Sequence, residues 1–108
     1  MSGLDDREKG YERKFEHDQE VAFRVRARRN HLLGLWAAGQ LGLDGEDAEA
    51  YAKALADPAK HLHGDEDIVK KLARDFEAKA VKLDANRIHL EIERCTAEAR
   101  KTLGVPNA

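Results

Sequence analysis

Ala22-Phe23-Arg24-Val25-Arg26-Ala27-Arg28-Arg29-Asn30-His31-Leu32-Leu33-Gly34-Leu35-Trp36 decides the fold class. Apolar and polar residues alternate briefly from Phe23 to Arg28, but the alternation does not survive over the whole stretch, whose apolar positions recur at helical spacing. Reading back toward the start, Leu4, Tyr11, Phe15, Ala22, Val25, Leu32 and Trp36 fall three, four or seven residues apart. Those steps place them on one stripe of a single long helix. Gly39 and Gly42 supply the left-handed backbone that closes it.

Outward from that helix the pattern repeats three times. Asp44 is placed to cap a short helix with Ala48, Tyr51, Ala52 and Leu55 inward, and Asp57-Pro58 ends it. A stretch from Ala59 to Gly64 reads as a loop. A third helix opens near Asp65, with Glu66 and Asp67 favouring its N-terminal dipole and Ile68, Val69, Leu72, Phe76 and Ala80 forming its stripe. Asp84 caps a fourth, carrying Ile88, Ile92, Cys95, Ala99 and Leu103, which Gly104 and Pro106 stop. Four amphipathic helices with short connections pack naturally as an all-α four-helix bundle.

Composition limits the functions open to such a chain. Its 108 residues suffice for one domain, and the net charge of -2 argues against steering toward nucleic acid or an anionic membrane. The lone Cys95 excludes an internal disulfide and suits a small core residue. The longest apolar run, Leu32 to Leu43, is interrupted and too short to span a bilayer. With no signal peptide in the opening residues, a cytoplasmic protein is expected. His61, His63 and Asp65 lack a further ligand at metal-site spacing, and no metal is expected. Without a phosphate loop, nucleophile elbow or paired catalytic carboxylates, the chain reads as no enzyme and requires no cofactor.

Two features of the long helix stand apart. From Asp5 to Glu20 it is mostly charge, and Glu8, Glu12, Glu16 and Glu20 repel at four-residue steps. Gly10 weakens it by roughly 1 kcal/mol relative to alanine. The expectation is a mobile segment over residues 1–18 and a helical bundle domain over 19–108. One reading of that segment is a frayed terminus. The other is a helix that orders in a partner's groove on Leu4, Tyr11 and Phe15, which keep register with Val25, Leu32 and Trp36.

The second feature is the strip from Arg24 to His31, with four arginines and no acid. At 100° per residue Arg29 falls on the apolar stripe, while Arg24 and Arg28 share a flank. A buried arginine needs a partner, so Arg29 either meets a carboxylate of another helix or forms an anion site. In the second case Arg24, Arg28 and Arg29 would hold phosphate, with Trp36 available to stack on a purine. Duplex binding needs more phosphate contacts than four scattered arginines offer, so no nucleic-acid partner is expected.

Several segments together resemble the ATP synthase ζ subunit family of α-proteobacteria. They are Asp5-Asp6-Arg7-Glu8, Lys14-Phe15-Glu16-His17-Asp18 and, most specifically, Ala27-Arg28-Arg29-Asn30-His31-Leu32-Leu33-Gly34-Leu35-Trp36-Ala37-Ala38. Ala48-Glu49-Ala50-Tyr51-Ala52 and His63-Gly64-Asp65-Glu66-Asp67-Ile68-Val69 continue it in order. The resemblance implies a four-helix-bundle inhibitor on the cytoplasmic side, peripheral to the inner membrane. Its partners would be the α, β and γ subunits of the F-type ATP synthase catalytic head. The implied mode is insertion of the N-terminal helix into a catalytic interface, which blocks ATP hydrolysis. Leu4, Tyr11 and Phe15 would anchor it, and Asp5, Arg7, Glu8, Arg13 and Lys14 would set its register by charge. Family members bind ADP or ATP as a regulatory ligand, which points to Arg24, Arg28, Arg29 and Trp36. A nucleotide-binding module that regulates a partner without strong inhibition is the alternative. Gly10 and Tyr11 depart from the alanine-rich pattern that the family implies there.

Overall fold

The computed structural model of the chain describes the backbone of residues 3–57, 59 and 64–104, with side chains in that set from residue 18 onward. The described residues form four helices: α1 (Gly3–Gln40), α2 (Gly45–Ala56), α3 (Asp65–Ala78) and α4 (Ala85–Thr102). No strand occurs among them. The architecture is the expected all-α bundle with a long first helix.

α1 is 38 residues long, about 57 Å at the helical rise, and it sets the length of a molecule measuring 66 × 26 × 24 Å. α2 and α4 pack on α1, and α3 packs on α4. The core between them is built from Leu33, Ala37, Leu55, Ile68, Leu72, Phe76, Ile88, Ile92 and Cys95. Trp36 closes its edge, its ring meeting that of Phe76 edge-on at 5.7 Å.

The buried face of α1 differs from the expected stripe. Val25, Arg29, Leu33 and Ala37 are buried in one row, and Asn30, Gly34 and Ala38 in the next. Both rows advance by four residues, the ridge that neighbouring helices pack against. Leu32 and Trp36 lie only half-buried on its flank, and Ala22 is exposed. Two helices covering one helix widen its buried arc beyond what a single stripe describes.

The helix ends follow local chemistry with four departures. Gly42, at φ +80, closes α1 as Leu43 N–H donates to Ala38 O at 2.9 Å and Gly42 N–H to Gly39 O at 3.2 Å. Gly39 remains inside the helix. Asp84 caps α4 as expected, its carboxylate accepting from Arg87 N–H at 2.9 Å. Asp44 holds the capping position of α2 but its side chain makes no capping bond. Ala80 is not part of the α3 stripe; it lies beyond the helix, exposed, at φ 57. There it takes the place usually held by glycine, with Val81 N–H donating back to Phe76 O at 2.8 Å. Leu103 likewise sits past the end of α4 and is exposed.

Candidate functional site

α1 presents its arginine strip where it enters the bundle. Arg29 is 8% exposed and points at the first turn of α3. Its Nη2 donates to Asp65 Oδ1 at 2.7 Å and its Nη1 to Asp65 Oδ2 at 3.3 Å, a two-pronged pair across helices. The amide oxygen of buried Asn30 accepts from Arg29 Nε at 3.0 Å and Nη2 at 2.8 Å. Asp65 also favours the α3 dipole, so one carboxylate serves two ends. Of the two readings of Arg29, pairing with a carboxylate of another helix is the arrangement present.

The other strip residues do not converge on that guanidinium. Arg24 is exposed and pairs with Glu20 one turn away at 2.7 Å. Arg26 and Arg28 are exposed, and no described carboxylate pairs with either. His31 reaches Glu49 of α2, Nε2 to Oε2, at 3.2 Å. Trp36 sits two turns from Arg29 with its edge committed to Phe76. The cavity that Arg29 lines includes none of Arg24, Arg28 and Trp36.

Beside the Arg29–Asp65 pair lies a cavity of about 110 Å³, walled by Phe23, Arg26, Ala27, Ala56 and Ile68. Nothing in the apolar periodicity of α1 pointed to Phe23, which lies off the stripe.

The expected partner anchors Leu4, Asp5, Arg7, Glu8, Tyr11, Arg13, Lys14 and Phe15 are on the helical backbone of α1. Their side chains lie outside the described residues, as do His61 and His63. Among the described residues no cluster of three metal-ligating side chains occurs. No helix among them is long and apolar enough to cross a membrane.

A family model described as ATPase inhibitor subunit zeta matches residues 1–102. The chain belongs to the ζ family. No curated protein and no solved structure matches it. A ζ-family chain is an inhibitor subunit, regulatory rather than catalytic, and its partner is an ATP synthase.

In this ζ-family chain, Glu91 is a buried acid that the periodicity missed, 5% exposed on α4. Arg87 holds one of its oxygens at 3.2 Å and Arg94 the other at 2.7 Å. The signal was present: an acid among apolar positions with arginines four residues before and three after it. Cys95 beside it is fully buried, and burial pushes its thiol pKa up, which keeps it a core residue.

Proposed function

We propose that residues 1–18 are the inhibitory segment of an F-type ATP synthase regulator. They enter a catalytic αβ interface of the head and extend toward the central γ shaft, which stops rotation in the hydrolytic direction. Leu4, Tyr11 and Phe15 supply the apolar anchors, and Asp5, Arg7, Glu8, Arg13 and Lys14 set register.

One observation carries the reading. α1 begins at Gly3, yet its first buried side chain among the described residues is Val25. Residues 18–24, about 10 Å of helix with described side chains, thus run ahead of the first buried position. A charged helical stretch ahead of the buried positions suits capture in a crevice.

An adenine-nucleotide site on Arg24, Arg28, Arg29 and Trp36 would have to draw Arg29 away from Asp65, so the geometry favours insertion. The test is ATP hydrolysis by the cognate head, with the full chain and with a chain lacking residues 1–18. The expected outcome is loss of the block on truncation. An unchanged block by the truncated chain removes the proposal.

A further inference from the structure

Phe23 is 61% exposed, a large apolar ring in water where α1 leaves the bundle. It forms one wall of the cavity floored by Ala27, Ala56 and Ile68. A lone exposed aromatic needs no explanation, but an aromatic beside an apolar recess does. The recess, of about 110 Å³, is close to the volume that accepts one aromatic ring or branched aliphatic side chain.

Arg26 and Asp65 both line this recess, and Asp65 is held by Arg29. Arg26 is on its rim, exposed, and no described carboxylate pairs with it. From Val21 to Gln40 the helix has no acid at all. Phe23 is also continuous with the proposed inhibitory stretch, eight residues beyond Phe15 and about 12 Å further along the axis.

We propose that Phe23 and this recess form a second docking contact on the ATP synthase head, at the rim of the crevice that the N-terminal stretch enters. The recess takes an apolar side chain of the head, and a carboxylate flanking that side chain meets Arg26. The proposal rests on the insertion reading and adds the place where the bundle itself is seated. Aromatic residues closing a desolvated pocket carry much of an interface's affinity, and Arg26 steers the approach.

The test uses the full chain and the cognate head. Phe23→Ala should raise the half-inhibitory concentration by about tenfold, the effect of losing one interface anchor. Its thermal unfolding should be unchanged, because the ring is exposed. Arg26→Glu should weaken inhibition and reduce its sensitivity to salt. A photo-cross-linking residue replacing Phe23 should label the α or β subunit, and a second probe replacing Tyr11 tests insertion separately. Labelling from Tyr11 with none from Phe23, and normal inhibition by Phe23→Ala, would overturn the contact and leave insertion standing. Labelling from Phe23 alone would support the contact and remove insertion. Cross-links between two copies of the chain, with none to the head, would overturn it in favour of self-association.

Discussion

Tyr51 and Asp75 show how a single hydroxyl can join two helices. Tyr51 Oη donates to Asp75 Oδ2 at 2.6 Å, linking α2 to α3, and Lys71 Nζ reaches the same oxygen at 3.0 Å while lying over the Tyr51 ring. Burial alone would raise the Asp75 pKa, but the hydrogen bonds from Tyr51 and Lys71, with the charges of Lys71 and Arg74, hold it below its ordinary value. Burial and the neighbouring carboxylate push the Tyr51 phenol well above its own. A lowered carboxyl contributes stability above its unfolded pKa of about 3.9 and loses it as pH falls through the lower folded value. The phenol's contribution is complete below about pH 10 and declines above, as the unfolded chain ionises. Tyr51→Phe should therefore cost about 1–2 kcal/mol at neutral pH, read from urea unfolding. Asp75→Asn should flatten the acid limb of the stability curve; an unchanged limb would show that the pair contributes nothing. Tyr51 was legible as an inward residue, but its partner was not, because periodicity ranks residues by face and leaves polar pairs unassigned.

At the scale of elements, the crossing of α1 and α2 is governed by Gly34. A Cβ there would lie 2.6 Å from the Cα of Ala52, which is backbone and cannot swing aside. Gly34→Ala should destabilise the fold by about 1–3 kcal/mol despite alanine's better helix propensity. Gly39, also within α1, has nothing within 4 Å of its would-be Cβ. Gly39→Ala should leave stability unchanged or raise it by up to about 1 kcal/mol. Denaturation midpoints of the two variants check the contrast, and equal effects would refute the crossing argument. The helices themselves were legible, as were the caps at Asp84 and Gly42, since both depend on local chain geometry. The glycine reading was partial: Gly39 and Gly42 were read as stops but only Gly42 lies past the helix, and Gly34, given no role, is an approach point for α2.

Across the whole molecule, the Arg29–Asp65 pair ties the long helix to the start of α3, which also meets α1 through Phe76 and Trp36 and packs on α4. Its two ends differ in exposure, with side chains 10% exposed for Arg29 and 50% for Asp65. Removing Asp65 strands a buried cation, whereas removing Arg29 leaves a carboxylate that water can reach. Asp65→Ala should then cost about 2 kcal/mol and Arg29→Met less than about 1 kcal/mol. Urea unfolding of both variants tests that order, and the reverse order would mean that the guanidinium is solvated. The same pair bears on the candidate site, because a guanidinium bound to Asp65 and Asn30 is not free for an anion. The arginine strip was conspicuous in the sequence, yet only its partners distinguish a clamp from a binding site.

The residue pattern alone established four helices, most of the inward faces of the three shorter ones, several of their ends, the family resemblance and the odd charge balance of the first helix. These depend on neighbours within a turn or two, or on residue order, both of which a chain displays directly. The tertiary structure decided which rows of α1 are buried, which carboxylate Arg29 meets, why Gly34 is tolerated inside a helix and where Phe23 stands. Each of those is set by a residue tens of positions away, brought close only when the helices pack, and no local spacing encodes that distance.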